Sequence, residues 1–242
     1  MKRRRRRRKE HTEYKPNILF DFNLRSSFGA AFYNLLGKVY LQVKENSLKT
    51  ILITSATQGE GKSIVAANLA LGFAMLNEMK TVFIDSDLYH PSLHYIFNLN
   101  KTPGLSEILI DECSLNFILT KSNINNLSVI TSGKTSPSTS MLLGSNKMGE
   151  IIHQLKDLVD IILLDSAPVM SSSDPLVLCP YVDRVILVIE ADKTQREIVQ
   201  RAQTSIESTQ TKILGVVLNK KEYILPHYIY SKLYHYKGYQ YY

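Results

Sequence analysis

From Thr50 onward, short apolar runs alternate with longer segments in which apolar residues recur at helical spacing. Six runs are rich in Ile, Leu and Val with little polar alternation, which is typical of strands covered on both faces. These predicted strands are 50–54, 81–85, 127–131, 160–165, 184–190 and 213–219. Helices are predicted at 26–45, 62–76, 146–159 and 194–209. This order predicts an α/β fold, a mostly parallel sheet with helices on both faces in three Rossmann-like layers.

A glycine-containing loop joins the first predicted strand to the helix that follows it. Its sequence is Ala56-Thr57-Gln58-Gly59-Glu60-Gly61-Lys62-Ser63. In such a loop the backbone N–H groups face phosphates, Lys62 reaches the β- and γ-phosphates, and the Ser63 hydroxyl suits magnesium. The general pattern has glycine where this chain has Ala56, so a chance match is the alternative. The order of strand, loop and helix favours a site for a nucleoside triphosphate with magnesium.

Two further predicted strands end in carboxylates. Asp85 and Asp87 follow the apolar run at 82–84, and Asp165 ends the run at 161–164. Ligands of open α/β sheets bind at the carboxyl ends of the strands, so these side chains are candidates for magnesium binding and proton transfer. Asp165 is assigned to magnesium, and Asp85 or Asp87 to orienting or deprotonating an acceptor. Each alone has the simpler interpretation of a solvated strand end.

The positive charge of the chain is concentrated at its beginning. Residues 2–9 carry eight consecutive positive charges, and the other 21 of the 29 Lys and Arg nearly balance 22 Asp and Glu. A near-neutral body argues against a nucleic-acid-binding fold. We expect residues 1–24 to form a disordered basic arm, with attraction to an anionic membrane surface as the functional alternative.

Neither a leader nor a membrane span is predicted. Polar residues 10–13 follow the basic run where a signal peptide needs apolar ones, and no segment approaches the roughly 18 apolar residues of a span. We therefore expect a cytoplasmic protein, peripheral at the inner face of the membrane. Cys113 and Cys179 lack metal-like spacing and are expected to be thiols.

Tyrosine is crowded into the last twenty residues. Residues 223–242 hold eight of the fourteen tyrosines, where even scatter would place about one. We expect a mobile tail after a globular domain at 25–222, with accessible phenol groups. The simpler interpretation is an aromatic segment that packs on the domain or on a partner.

Taken together, these motifs resemble the bacterial tyrosine kinases of capsule and exopolysaccharide synthesis, or BY-kinases, which are P-loop NTPases of the MinD/ParA-like group. The resemblance covers nearly the whole chain. It is carried by the Walker A segment 54–63, the Walker A′ segment 82–87 and the Walker B segment 161–165, together with 104–107, 127–133 and 213–219.

The resemblance implies an ATP- and Mg²⁺-dependent protein-tyrosine kinase that autophosphorylates its C-terminal tyrosines between subunits. It implies Lys62, Asp85 and Asp87 as catalytic residues, and Ser63, Asp85 and Asp165 as metal ligands. The nucleotide-binding residues would be Gln58, Gly59, Glu60, Gly61, Lys62, Ser63 and Asn219. The acceptors would be Tyr228, Tyr230, Tyr234, Tyr236, Tyr239, Tyr241 and Tyr242. The implied partners are a transmembrane activator of polysaccharide chain-length control, further copies of the chain and a cognate tyrosine phosphatase.

The chain departs from the family in two places. Tyr89 stands where the family has an arginine two residues after the second Walker A′ aspartate. In the subunit-contact helix, Ala30, Tyr33 and Leu36 replace a glutamate and two arginines. Subunits would then associate through an apolar face of that helix, or the ring typical of the family would not form. The apolar positions are Phe28, Phe32, Leu35, Leu36 and Val39.

Two alternative functions remain open at this stage. A nucleotide-binding but weakly active or inactive paralogue would serve as a scaffold for a membrane adaptor. A MinD/ParA-like positioning ATPase would share the sheet and the Walker segments. Such ATPases carry a signature lysine five residues before the loop lysine, and this chain has Thr57 there. That residue favours the kinase.

Overall fold

The computed structural model describes residues 27–115, 119–122, 124–135 and 138–221. The basic arm at 1–24 and the predicted acceptor tyrosines lie outside these residues. Seven strands are described: β1 Thr50–Ser55, β2 Thr81–Asp85, β3 Thr120–Lys121, β4 Leu127–Ile130, β5 Ile161–Asp165, β6 Arg184–Glu190 and β7 Ile213–Asn219. They form one sheet in the order β3-β4-β2-β5-β1-β6-β7.

All neighbouring strands pair in parallel except β3, which pairs antiparallel with β4 at one edge. The predicted mostly parallel sheet is therefore confirmed. The six strands predicted from apolar runs lie within one residue of their observed ends, and β3, at two residues, gave no such run. Because β1 lies between β5 and β6, the loop after β1 opens at the middle of the carboxyl edge of the sheet.

Helices cover both faces of the sheet. They are α1 Ser27–Glu45, α2 Lys62–Leu76, α3 Leu93–Ile96, α4 Leu105–Leu109, α5 Thr139–Leu143, α6 Asn146–Leu158, α7 Asp174–Leu178 and α8 Arg196–Glu207, with a 3₁₀ turn at Cys179–Tyr181. The four long helices were predicted to within two residues of each end. The start of one short helix, α3, is set by a side chain from a strand end. There the Asp85 carboxylate accepts hydrogen bonds from the backbone N–H groups of Ser92 and Leu93.

Alternate residues of each central strand enter one of two buried cores. In β1, Ile51 and Ile53 face the core formed with α1 and α2, whereas Leu52 faces the core formed with α4, α6 and α8. Since α2 is buried along most of its length, its sequence is apolar on all sides. The two cores hold the carboxyl edge of β1, and the loop that follows it, in a fixed position.

Helix α1 packs its apolar face inside its own subunit. Phe32, Leu36 and Val39 are buried, and Leu36 lies against Gly72 of α2. The expectation that these positions supply an apolar contact between subunits is therefore wrong for these three side chains. Phe28, at the start of the helix, stays 53% exposed. Among the described residues, no helix is both long and apolar enough to cross a membrane.

Candidate nucleotide site

The loop between β1 and α2 has the backbone shape that phosphate binding requires. Gly59 and Gly61 have φ angles of +86° and +89°, which L-residues with a side chain rarely adopt. A Cβ on Gly61 would also lie 2.3 Å from the side-chain nitrogen of Asn219. Lys62 is the first residue of α2, so the loop N–H groups and the positive end of the helix dipole lie together.

Lys62 is held by the second Walker A′ aspartate. Its Nζ lies 3.0 Å from Asp87 Oδ2, and both side chains are largely buried. The other oxygen, Asp87 Oδ1, accepts a hydrogen bond of 2.9 Å from the backbone N–H of His90. Burial lowers the pKa of Lys62, but Asp165, Asp87 and Asp85 together raise it above its usual value. The ammonium therefore remains charged beside the loop, as a phosphate-binding lysine must.

Asp85 and Asp165 form a buried carboxylate pair. Burial is the main cause that raises the pKa of Asp85 to about 8, and the neighbouring charge of Asp165 is the second. The two backbone N–H donors at the start of α3 act in the opposite direction. Burial also raises the pKa of Asp165 to about 6. The pKa stays raised although the Lys62 ammonium and the nearby Ser63 hydroxyl favour the ionised form. Neither oxygen of Asp165 has a partner within hydrogen-bond distance among the described residues.

This arrangement fits a divalent cation. Three buried carboxylates face one lysine, and Asp85 Oδ1 and both oxygens of Asp165 are buried acceptors without a donor in the described part of the chain. Such orphaned oxygens are costly unless something binds them. No three His, Cys, Asp or Glu side chains of that part converge as a complete metal cage. Magnesium needs no such cage, because phosphate oxygens and water supply its remaining ligands.

The end of β7 contacts the loop from its other side. Asn219 Nδ2 donates to the carbonyl oxygen of Glu60 at 2.8 Å, and Lys220 Nζ donates to that of Gly59 at 2.5 Å. The structure thus brings Asn219 to the loop, where its amide contacts protein backbone. Sequence reasoning did not single out Lys220, and no local pattern marks it, because its partner lies 161 positions earlier.

The predicted site residues thus lie together at one edge of the sheet. The loop from Gln58 to Ser63, the two Walker A′ aspartates, Asp165 and Asn219 all lie at the carboxyl ends of β1, β2, β5 and β7. Tyr89, which replaces the family's arginine, is 66% exposed and its ring makes an edge contact with His90. The described residues therefore contain a triphosphate-binding loop and acidic groups, with an aromatic side chain beside them.

A doubly wound sheet with a Walker loop after its central strand defines a P-loop NTPase. Consistent with this class, a family model described as ParA, NUBPL iron-transfer P-loop NTPase, matches residues 46–240. The chain is 34% identical over 196 residues to the putative tyrosine-protein kinase CapB of Staphylococcus aureus, covering 81% of this chain and 86% of CapB. It is 35% identical over 178 residues to the tyrosine-protein kinase YwqD of Bacillus subtilis strain 168, covering 74% and 75% of the two chains.

A solved structure shows the same relationship. The crystal structure of the chimerical protein CapA2B2 superposes with a TM-score of 0.77 at 30% identity, covering 82% of this chain and 87% of the other. The chain belongs to the bacterial tyrosine-protein kinase family, whose members are P-loop enzymes.

Proposed function

We propose that this chain is an ATP- and magnesium-dependent protein-tyrosine kinase that phosphorylates the tyrosine cluster at 223–242 on another copy of itself. Support comes above all from the Lys62–Asp87 pair, which sets a phosphate-binding cation beside buried carboxylates at the carboxyl edge of the sheet. Through this activity the chain would regulate capsular or exopolysaccharide synthesis, as the names of its relatives suggest.

Each group of site residues has its own role in phosphoryl transfer. The N–H groups from Gln58 to Ser63 bind the phosphate oxygens, and Lys62 pairs with the β- and γ-phosphates. Ser63 and Asp165 would hold magnesium, with Asp85 beside them; when bound, the ion offsets the phosphate charge. Asn219 lies near enough to the loop to be the candidate contact for the base.

In the transfer step, a tyrosine oxygen forms a bond to the γ-phosphorus while the bond from that phosphorus to the β–γ bridging oxygen breaks. ADP leaves with the electron pair of the broken bond, and the phenol proton passes to a Walker A′ carboxylate. Asp85 suits this role because its raised pKa, about 8, lies near neutral pH. Asp87 is the second candidate, since Lys62 holds one of its oxygens in place.

The eight basic residues at 2–9 indicate how the enzyme would be recruited to the membrane. The arm would attract the chain to the anionic inner face of the membrane. There it would meet a transmembrane activator, which the family resemblance implies, and further copies of the chain. A cognate phosphatase would remove the phosphate.

Intact-mass analysis tests the activity. Purified protein incubated with ATP and magnesium should gain phosphate on tyrosines of the tail, and Lys62→Met should gain none. Lys38→Met, on the exposed face of α1, is the matched control and should behave as wild type. Mixing Lys62→Met with an active copy that lacks 223–242 tests transfer between molecules. ATP binding without any phosphotyrosine would refute the kinase.

The scaffold is the second candidate, and Tyr89 is the observation that favours it. Tyr89 leaves no cation at the position where the family carries an arginine. In that case polysaccharide output would be equal in cells carrying wild type and Lys62→Met. A drop in output with Lys62→Met would favour the kinase.

A further inference from the structure

Glu60 lies in the phosphate-binding loop, but its side-chain carboxylate is bonded to other parts of the protein. Its neighbours Gln58 and Gly59 are exposed, whereas Glu60 is only 1% exposed. Burying a carboxylate is costly unless donors surround it. Its position inside the loop therefore indicates a specific set of contacts.

Those contacts tie the loop to the segment after β6. Glu60 Oε2 accepts a hydrogen bond of 2.6 Å from the Thr57 backbone N–H, which closes the loop on itself. Glu60 Oε1 accepts one from the Thr194 hydroxyl and a longer one, 3.4 Å, from the Glu190 N–H. One buried carboxylate thus joins two backbone N–H groups and one side-chain hydroxyl.

Two consecutive carbonyl groups of the loop are also held, from β7. The Gly59 carbonyl accepts from Lys220 and the Glu60 carbonyl accepts from Asn219. Lys220 Nζ also lies 3.2 Å from Glu190 Oε2, which fixes the ammonium between strand and loop. The three side chains of Glu60, Asn219 and Lys220 are called the loop clamp below.

The loop clamp has a consequence for the amide groups that bind phosphate. In a trans peptide the carbonyl and the following N–H point in opposite directions. When the carbonyls of Gly59 and Glu60 are held toward β7, the N–H groups of Glu60 and Gly61 must point away from β7. Both loop glycines have left-handed φ angles. Together with the held carbonyls, this backbone conformation points successive N–H groups to the same side of the loop, as in an anion-binding nest.

We propose that the loop clamp holds the P-loop amides in their phosphate-binding orientation, which makes Glu60, Asn219 and Lys220 positioning residues for nucleotide affinity. A loop already held in its binding conformation loses less entropy when phosphate binds. The side chains of Glu60 and Lys220 therefore contribute to nucleotide binding by holding the loop, while the backbone N–H groups of the loop contact the phosphates. This inference concerns nucleotide affinity and holds whether or not tyrosine is the acceptor.

Lys220 and Lys193 offer a matched pair of variants. Each ammonium lies 3.2 Å from a Glu190 oxygen, but only Lys220 also contacts the loop. We expect Lys220→Met to raise the Kd of MgADP by about three- to tenfold, the value of one ordinary hydrogen bond, because the Lys220 side chain is partly exposed to solvent. Lys193→Met should leave Kd within about twofold of wild type. Lys220→Arg, which keeps a donor, should recover most of the affinity.

Glu60 gives a stronger test from inside the loop. Glu60→Ala should raise the Kd of MgADP about tenfold, since it leaves the partly buried Thr57 N–H without its acceptor and removes the tie to Thr194. Glu60→Gln keeps one carbonyl acceptor and should fall between Glu60→Ala and wild type. The surface variant Glu207→Ala, which removes only a contact with Gln203, is the control and should bind as wild type.

Nucleotide titration and thermal unfolding without nucleotide distinguish positioning from general stability. The inference requires a weaker affinity in Lys220→Met than in Lys193→Met at similar Tm, and a KM for ATP that rises more than kcat falls. Equal Kd values in these two variants would overturn it. So would a fall in Tm for Glu60→Gln with unchanged Kd. Failure of the kinase proposal would show separately, as intact nucleotide binding without phosphotyrosine.

Discussion

Asp85 and Asp165 are register partners, side by side at the carboxyl ends of β2 and β5. Both are fully buried, and the pKa of each is raised by burial first. Two adjacent buried carboxylates destabilise the fold that contains them, because each must lose water and the one ammonium nearby, Lys62, is already paired with Asp87. The electrostatic free energy of the carboxylate pair is therefore unfavourable, and a bound cation would lower it.

Asp165→Asn is expected to stabilise the nucleotide-free fold while removing function. The pKa of Asp165 is about 6 in the folded protein against 3.8 ordinarily. The folded state therefore binds the proton more tightly than the unfolded chain, and stability is lost as pH rises from about 4 to about 6. At pH 7 the variant should gain about 1–3 kcal/mol in the free energy of unfolding.

Urea unfolding at pH 5 and pH 7 measures this gain, which should be larger at pH 7. Magnesium-dependent nucleotide binding and tyrosine transfer should both fall sharply in the same variant. Asp157→Asn, on the exposed side of α6, is the control and should change neither property. An identical gain at both pH values would contradict the electrostatic explanation.

Asp183 is expected to show the opposite pH dependence. Its Oδ2 accepts from the backbone N–H groups of Lys49 and Thr50, at the start of β1, and Oδ1 lies 3.2 Å from Lys156 Nζ. Burial raises its pKa, but these donors outweigh burial and lower it below 3.8. Its stabilising contribution is therefore present above about pH 4 and is lost as pH falls through the folded pKa.

Asp183→Asn should cost about 1 kcal/mol at neutral pH, a value kept small because the side chain is partly exposed. The deficit relative to wild type should shrink below about pH 4. Chemical unfolding across pH 3 to 7 measures it. A deficit that stays constant over this range would show that the carboxylate charge contributes nothing.

Gly104 and Gly37 should respond to alanine in opposite directions. A Cβ on Gly104 would lie 2.3 Å from the Gly133 nitrogen and 2.4 Å from the Thr131 oxygen, and both atoms are backbone that cannot move aside. A Cβ on Gly37, in α1, meets nothing within 4 Å. Gly104→Ala should cost about 2 kcal/mol or more, as overpacking does. Gly37→Ala should gain about 0.5–1 kcal/mol from helix propensity.

Unfolding midpoints of the two glycine variants, measured with wild type, check the pair. Gly104 also donates its N–H to Glu107 Oε2 at 2.7 Å, which starts α4. A shift of the backbone at this point should therefore also weaken that helix. If Gly104→Ala unfolds at the wild-type midpoint, the close approach of the two backbone segments is wrong.

Tyr89→Arg tests the departure from the family at the rim of the site. Because Tyr89 is 66% exposed, the change should alter stability by no more than about 0.5 kcal/mol. An added cation near the Walker A′ segment should stabilise charge on the transferring phosphate and raise the rate of tail phosphorylation. Tyr95→Arg, at a comparably exposed position on α3, is the control. Equal rates in wild type and both variants would refute the prediction.

The strands and long helices follow from the sequence because burial dictates them. Runs such as 161–165 are apolar over their whole length, and only a strand covered on both faces buries them fully. The start of a short helix such as α3 does not follow from burial in this way. At α3 the cap is Asp85, which lies seven positions earlier at a strand end, so no local pattern marks the start.

The chemistry of the site divides in the same way. Lys62, Asp85 and Asp165 could be predicted because each stands next to a recognisable strand or loop. The contacts that hold Gly59 and Glu60 could not, since Lys220 and Thr194 are ordinary polar residues that reach the loop from more than 130 positions away. The burial of Leu36 on α1 also depends on Gly72 of α2, because a side chain at position 72 would collide with it. The apolar pattern of α1 alone does not reveal this contact.

The hydrogen bond from Lys220 to the Gly59 carbonyl also places Lys220 beside the phosphate-binding loop, and the rest of the chain continues from that point. Tyr228 lies only eight residues beyond Lys220, and an extended chain spans at most about 3.3–3.6 Å per residue. The Cα atom of Tyr228, the first predicted acceptor, therefore lies no more than about 30 Å from that of Lys220. The same limit grows with each later tyrosine, up to Tyr242, so the proposed transfer to another copy is least restricted by chain length at the end of the cluster.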